Sequence, residues 1–213
     1  MKTPINSLIS ENSVYVAILA GGVSTRMGRD KRFLKIDGEC WVDRALRLGT
    51  DLVGGNPERV LLCGEVPERN GIPDITPRMG PLGGLLTAFN CLKRLRQGTL
   101  ASAWLFVFPI DMPLLNRGIF EAIASEFHHT QNPECHALGL AGNEMPFLIR
   151  YCDRTHLILE KICNDENASS RSIHTFLEQS GVIRIQVDTP VQSQLFNVNK
   201  PGDWSAISEK GTP

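Results

Sequence analysis

A cluster of cations directly follows a buried-looking strand near the start of the chain. Residues 14–19 read VYVAIL, and this apolar run ends at Gly21 and Gly22. Four basic residues then fall within seven positions, at Arg26, Arg29, Lys31 and Arg32. Glycines allow a ligand to approach the backbone closely, and unpaired N–H groups in such a turn bind anions. The spacing predicts an anion-binding loop, with a solvated charge cluster as the alternative.

An aspartate follows a second buried-looking strand farther along the chain. Residues 104–108 read WLFVF and lead directly to Pro109, Ile110 and Asp111. In open α/β sheets, ligands bind outside the carboxyl ends of the strands. We therefore expect the glycine turn and Asp111 to meet at one edge of the sheet, where a ligand would bind. Asp111 could instead cap the next helix, although Asn116 is also near enough to do so.

These two strands belong to a series in which strands alternate with helices. Strands are predicted at 14–20, 59–63, 104–108, 135–140, 145–151 and 182–187, with a short extended piece at 72–75. Helices are predicted at 41–52, 81–95, 116–127, 154–163, 170–180 and after Pro201. This order predicts a three-layer α/β/α sandwich around a mostly parallel, Rossmann-like sheet. The whole chain, 1–213, is predicted to be one domain, with residues 1–13 as a loose tail.

Composition excludes several classes of protein. The chain has 213 residues, of which 42% are hydrophobic and 21% charged, as is typical of globular proteins. Its net charge of -1 provides no basic field that would attract nucleic acid or a membrane surface. No run reaches the ~18 apolar residues of a membrane span, and the first residues lack the pattern of a signal peptide. The six scattered cysteines lack zinc-finger spacing, so we interpret them as apolar fillers and expect a reducing cytoplasm.

The glycine spacing of the first loop excludes two common nucleotide-binding motifs. Gly-Gly-x5-Gly, which begins at Gly21, differs from the Gly-x-Gly-x-x-Gly of dinucleotide-binding proteins. No Gly-Lys-Ser or Gly-Lys-Thr closes the loop, so it is not a Walker loop either. A dinucleotide-dependent oxidoreductase is therefore disfavoured.

Four segments of the chain resemble, in order, the signature of the MobA-like nucleotidyltransferases, above all the molybdenum cofactor guanylyltransferases. They are LAGGVSTRMGRDK at 19–31, GPLGGL at 80–85, PIDMP at 109–113 and FNVNKP at 196–201. The resemblance implies the fold of the nucleotide-diphospho-sugar transferases. It also implies a reaction in which a phosphate attacks the α-phosphorus of a nucleoside triphosphate and pyrophosphate leaves.

The resemblance further implies a set of site residues. Nucleotide contacts are expected from Leu19, Ala20, Gly21, Gly22, Ser24, Lys31, Asp74, Gly83 and Asp111. Lys31 would sit on the α-phosphate, and Ser24, Arg26 and the amides of the turn would hold the β- and γ-phosphates. Catalytic roles are implied for Lys31, Asp111 and Arg26. Asp74 could instead start the turn at Pro77.

Magnesium is the implied cofactor. Mg²⁺ is commonly held by one or two carboxylates together with phosphate oxygens, so Asp111 could suffice on the protein side. The resemblance implies that Asn199 is a second, weaker ligand. Asn197 could instead stabilise its own turn, as asparagine commonly does.

The resemblance implies GTP and molybdopterin as substrates, and molybdoenzyme-maturation proteins as candidate partners. The pair Gly21-Gly22 favours guanine, because relatives that use other bases usually carry Ala-Gly there. Departures from the family pattern at Cys63, Met145 and 169–170 leave the acceptor open. The alternatives are therefore a cytidylyltransferase or other nucleotidyltransferase with a different acceptor, and a non-catalytic nucleotide-binding adaptor. The presence of both Lys31 and Asp111 argues against the adaptor.

Overall fold

The computed structural model describes residues 14–21, 30–66, 68–76, 78–95, 103–126, 134–167, 170–200 and 202–203. Strands in these ranges are β1 (Val14–Leu19), β2 (Lys35–Ile36), β3 (Glu39–Cys40), β4 (Val60–Cys63), β5 (Ala103–Pro109), β6 (Ala137–Leu140), β7 (Phe147–Tyr151) and β8 (Val182–Ile185). Helices are α1 (Trp41–Leu52), α2 (Pro81–Leu95), α3 (Arg117–Glu126), α4 (Asp153–Cys163), α5 (Ile173–Gln179) and α6 (Thr189–Gln192). Short 3-10 helices occupy Lys31–Phe33, Pro57–Arg59 and Ser193–Leu195.

Six strands form the central sheet, in the order β4-β1-β5-β7-β6-β8. β1 pairs in parallel with both β4 and β5, and β6 pairs in parallel with β8. β7 runs antiparallel to its neighbours β5 and β6. The prediction of a mostly parallel sheet is confirmed, with one reversed strand that joins its two halves.

The sheet is buried on both faces, which explains why its central strands are apolar throughout. Alternate residues of β1 and β5 point to opposite sides, as the pleat requires. One face packs against α1 and α3, through side chains such as Ile18 and Phe106. The other packs against α2, α4 and α5, through side chains such as Ala17 and Val107. The predicted three-layer α/β/α sandwich is therefore confirmed.

Several predicted boundaries need correction. The strands predicted at 135–140, 145–151 and 182–187 are shorter in the structure, and so is the helix predicted at 170–180. The hairpin of β2 and β3 and the short helix α6 were not predicted. The extended piece at 72–75 contributes a single parallel bridge, between Ile72 and Cys63. The predicted tail at 1–13 lies outside the described residues, and so does the helix predicted after Pro201, apart from residues 202–203.

No helix within the described part of the chain is long and apolar enough to cross a membrane. All six cysteines are free thiols; Cys63 and Cys163 are buried and the other four are half-buried. The prediction that the cysteines act as apolar fillers therefore fits the two buried ones best.

Candidate active site

The ends of β1 and β5 lie side by side at the carboxyl edge of the sheet. Leu19 and Pro109 are opposite one another in the register of the two parallel strands. Just beyond them, the Ile110 amide donates to the Leu19 carbonyl at 3.0 Å. The end of β1 and the loop that carries Asp111 therefore meet, as predicted from their positions at the carboxyl ends of two strands.

Asp111 and Lys31 form an ion pair at this edge, although 80 residues separate them in the sequence. The Lys31 Nζ lies 2.6 Å from Asp111 Oδ2, and only 18% of the lysine side chain and 14% of the aspartate side chain are exposed. The other carboxylate oxygen of Asp111, Oδ1, is buried and has no hydrogen-bond partner within the described residues. A buried acceptor without a partner is costly, so its persistence indicates a place for a ligand.

The alternative that Asp111 caps the following helix is wrong. Asn116 occupies the position before α3, and its side-chain oxygen accepts from the Gly118 amide at 2.8 Å. Side-chain oxygens of asparagine commonly satisfy the free N–H groups of a helix start in this way. The carboxylate of Asp111 is therefore left to face Lys31 and the edge of the sheet.

The segment of the fourth motif is attached directly to Asp111. The Val198 amide donates to the Asp111 carbonyl at 2.9 Å, and the Val198 side chain is fully buried. Asn199 follows at an exposed position. The structure thus brings Asn199 into the neighbourhood of Asp111, by a backbone contact.

A residue that sequence reasoning missed shapes this segment. The Asp203 carboxylate accepts from the amides of both Asn199 and Lys200, each at 2.9 Å. The turn is therefore held by Asp203, whereas the alternative drawn from the sequence assigned that role to Asn197. The signal was the aspartate that closes the Pro-Gly-Asp sequence at 201–203, since aspartate commonly accepts from nearby backbone amides.

Asp74 lies next to Gly21, which follows β1. A methyl group placed on Gly21 would come within 2.9 Å of Asp74 Oδ2, and one placed on Gly83 would come within 3.6 Å of the same atom. The structure therefore brings together Gly21, Asp74 and Gly83. Asp74 Oδ1 is buried and has no hydrogen-bond partner in the described part of the chain. Burial raises the pKa of the Asp74 carboxyl.

Two further residues position this side of the site without having been predicted. The Thr87 hydroxyl donates to the Gly83 carbonyl at 2.9 Å and accepts from the Ile75 amide at 3.1 Å. It thereby ties the segment that carries Asp74 to α2. The only signal in the sequence was a polar residue within the apolar stripe of that helix.

Gly64, just after β4, is the second unpredicted residue. Its φ of +123° is strained for any residue with a side chain, and a Cβ there would lie 2.6 Å from the Gly21 nitrogen. The glycine allows the end of β4 to approach the backbone at Gly21 closely. In the sequence, only the position of Gly64 directly after a predicted strand indicated that it could lie at the site.

The backbone around Lys31 is held by its neighbours. Asp30 caps the short helix Lys31–Phe33 by accepting from the Arg32 amide. The Arg32 guanidinium also bonds the Asp30 carboxylate at 2.8 Å, which lowers the pKa of that carboxyl, and it donates to the Glu65 carbonyl. Lys31 is thus presented to Asp111 from a fixed main chain.

Three of the predicted site residues, Gly22, Ser24 and Arg26, lie outside the described residues. Leu19 and Ala20 are buried, and the Ala20 amide donates to the Cys63 carbonyl at 2.7 Å. Cys63, one of the departures from the family pattern, lies behind this turn, and burial raises the pKa of its thiol. It is therefore not poised to act as a nucleophile.

The arrangement suits a hard cation that is shared with a phosphorylated ligand. Within the described ranges, no group of three or more His, Cys, Asp or Glu side chains could hold a metal ion by itself. Asp111 provides one buried carboxylate oxygen without a partner, and Mg²⁺ commonly takes one or two carboxylates together with phosphate oxygens. The residues present therefore fit a magnesium ion that receives its remaining ligands from a nucleotide and water.

Comparison with known proteins identifies the class. The model of the MobA-like NTP transferase domain matches residues 16–179, so the chain belongs to this family. It is a nucleotidyltransferase, as the sequence resemblance implied.

Two related proteins of the same family are molybdenum cofactor guanylyltransferases by name. The chain is 27% identical over 190 residues to a molybdenum cofactor guanylyltransferase of Xanthomonas euvesicatoria, covering 89% of this chain and 92% of that protein. A probable molybdenum cofactor guanylyltransferase of Natranaerobius thermophilus is 23% identical over 205 residues, covering 90% and 93%.

Solved structures support the fold. Molybdopterin-guanine dinucleotide biosynthesis protein A from Archaeoglobus fulgidus superposes with a TM-score of 0.66 at 21% identity, covering 92% of this chain and 97% of that chain. A cytidylyltransferase from Leptospira borgpetersenii gives 0.61 at 14% identity, covering 92% and 85%. Enzymes with different nucleotides in their names thus share this architecture, which is that of the nucleotide-diphospho-sugar transferases.

Proposed function

We propose that this nucleotidyltransferase transfers GMP from GTP to the phosphate of molybdopterin and releases pyrophosphate. The observation that carries the proposal is the contact between Lys31 and Asp111 at the carboxyl edge of the sheet, with Asp74 next to Gly21 at the end of β1. The curated relative from Xanthomonas, matched over 92% of its length, supports the choice of substrates.

The reaction forms one bond and breaks one. An oxygen of the molybdopterin phosphate attacks the α-phosphorus of GTP, and the bond from that phosphorus to the bridging oxygen of pyrophosphate breaks. Negative charge develops on the α-phosphate and on the leaving group, so positioning and charge neutralisation provide most of the catalysis. We assign the α-phosphate to Lys31 and the β- and γ-phosphates to Ser24, Arg26 and the amides of the turn.

Magnesium would be held by Asp111, with Asn199 as a second oxygen ligand. When bound, the ion would neutralise the triphosphate and stabilise the pyrophosphate as it leaves. Asp111 suits this role because its Oδ1 is buried without a partner among the described residues, and because backbone bonds to Leu19 and Val198 fix the loop that carries it.

Asp74 is the residue that we assign to base recognition, together with the backbone of Leu19, Ala20, Gly21, Gly22 and Gly83. A carboxylate is an acceptor, and guanine presents N–H donors at both N1 and N2, whereas cytosine presents a single amino group. Asp74 Oδ1, which has no partner within the described ranges, is therefore better matched by guanine. We place the reaction in the cytoplasm, where the six free thiols would stay reduced, and infer that molybdoenzyme-maturation proteins receive the product.

The proposal is tested with the four nucleoside triphosphates and Mg²⁺. GTP is expected to raise the melting temperature of the protein most, because a ligand that binds only the native state stabilises it by RT ln(1 + [L]/Kd). Pyrophosphate release from GTP should then require molybdopterin. Preferential stabilisation by CTP would reassign the donor, and release with GTP and another phosphate acceptor but not molybdopterin would reassign the acceptor.

A further inference from the structure

We propose that Lys31 competes with divalent cations for Asp111 in the nucleotide-free enzyme, so that Asp111 binds a cation tightly only when a triphosphate draws the lysine away. The inference rests on the proposed function for the identity of the metal ligand. It adds an order of events and an internal competitor for the site.

The contact between Lys31 and Asp111 is close and largely shielded from water. One oxygen of Asp111 is 2.6 Å from the Lys31 ammonium, and the other is buried without a partner in the described part of the chain. Both side chains are more than four-fifths shielded from water, with 18% and 14% exposed. Their attraction is therefore screened much less than that of a surface pair. A cation that arrives alone meets a carboxylate whose charge is already neutralised.

Only the side chain of Lys31 has to move to release Asp111. The main chain of Asp111 is bonded on one side to Leu19, through Ile110, and on the other to Val198. The main chain at Lys31 is held by the Asp30 cap. Lysine carries a compact charge on a flexible four-carbon stem, so it can exchange a carboxylate for a phosphate without rearrangement of the backbone.

A bound triphosphate would change the partners of both Lys31 and the cation. It provides a new anionic partner for Lys31 and supplies further oxygen ligands for a cation on Asp111. Nucleotide and metal should therefore bind cooperatively, and by linkage each raises the affinity of the other by the same factor. The Lys31–Asp111 pair also compensates the charge of a largely buried carboxylate.

The test measures binding of Mn²⁺ alone, in the absence of any nucleotide, by electron paramagnetic resonance titration. The proteins are the parent chain, Lys31→Met, Lys31→Arg, Lys35→Met and the double variant Lys31→Met/Asp111→Asn. Lys35→Met is the matched control, because Lys35 is an exposed residue on β2, four residues after Lys31, and its loss removes the same charge. Circular dichroism establishes that each variant is folded.

Lys31→Met is expected to bind Mn²⁺ about tenfold or more tightly than the parent chain. The Lys31 ammonium no longer competes for the Asp111 carboxylate, and it no longer repels the metal ion. Lys31→Arg and Lys35→Met should bind as the parent does, and the double variant should lose the gain.

Equal binding by the parent and Lys31→Met, including no detectable binding by either, would overturn the inference. So would a comparable gain in Lys35→Met, which would indicate a general effect of charge. A gain that survives in the double variant would overturn it too, because the ion would then not lie on Asp111. None of these readings depends on which nucleotide or acceptor the enzyme uses, so they are separate from a failure of the proposed transfer reaction.

Discussion

The two ends of the carboxyl edge of the sheet differ in how their charged side chains are paired. At the β1–β5 end, Asp74 and Asp111 each keep one buried oxygen without a partner in the described residues. At the β6–β8 end, charged side chains satisfy one another. There, Arg184 bonds Glu144 at 3.3 Å and Glu178 at 3.1 Å, and it also donates to the Asn143 carbonyl at 3.2 Å.

This difference separates a binding site from a structural contact on the same edge. Buried polar groups in folded proteins nearly always have partners, and those that lack them require an explanation. Arg184 serves to hold the β6–β7 turn to β8 and α5, and its network is complete. The two aspartates at the other end each leave one acceptor oxygen that a ligand could pair with. On this edge of the sheet, the two ends therefore differ in whether the buried carboxylates have partners among the described residues, and not in the density of charge.

The largest effect is expected from Asp111→Asn. Loss of the carboxylate removes the proposed metal ligand and its neutralisation of the triphosphate, so turnover should fall by about 10²–10³-fold while the fold remains intact. The measurement is pyrophosphate release at saturating Mg²⁺. Asp51→Asn, at an exposed position on α1, is the control and should retain full activity. Near-normal turnover by Asp111→Asn would remove Asp111 from the site.

Gly64→Ala is expected to destabilise the β1–β5 end by about 3 kcal/mol, because strain at φ +123° adds to a 2.6 Å clash with the Gly21 nitrogen. Gly142→Ala, in the β6–β7 turn, is its matched counterpart. Gly142 also has a positive φ, of +77°, but no atom lies within 4 Å of an added Cβ, so the cost should be about 1 kcal/mol. Urea denaturation compares the two. Equal costs would show that backbone strain alone, and not the close approach behind the turn, makes glycine necessary at Gly64.

Arg184→Gln should cost about 1 kcal/mol of stability, because the pairs that it breaks are partly exposed. Nucleotide affinity and turnover should stay unchanged, which urea denaturation and steady-state kinetics would measure together. A rise in KM for the acceptor, at unchanged affinity for GTP, would instead place the β6–β8 end in the acceptor site and would weaken the contrast between the two ends.

Asp74→Asn is expected to have the smallest effect on stability, and a favourable one. Burial raises the pKa of Asp74 in the folded protein, so above the ordinary value of 3.8 the unfolded chain releases its proton first. Stability then falls as the pH rises from that value through the raised one, and the cost persists at pH 7. The variant should melt about 2 °C higher at pH 7, show a flatter pH dependence between pH 4 and 7, and gain less from GTP. Thermal shift measures all three, and a lower melting temperature would show that the carboxylate stabilises the fold.

Much of the fold and half of the site were predictable from local patterns. Apolar runs too long for a half-exposed strand identified β1 and β5, and the leucine stripe after Pro81 identified α2. Short elements were missed for a physical reason, because two-residue strands such as β2 and β3 carry no periodicity that could be recognised. Their pairing depends on the turn between them and on the helix that follows.

The sequence by itself determined that β1 and β5 would be buried strands and that Asp111 would follow one of them, because apolar runs and strand-end rules are local. Only the tertiary structure decided that Lys31 reaches Asp111, that Asp74 lies against Gly21, and that Asn116 rather than Asp111 caps α3. These contacts join segments of the chain through the register of the sheet and the packing of α2. No local pattern specifies such distances, because they follow from how separate elements share one core.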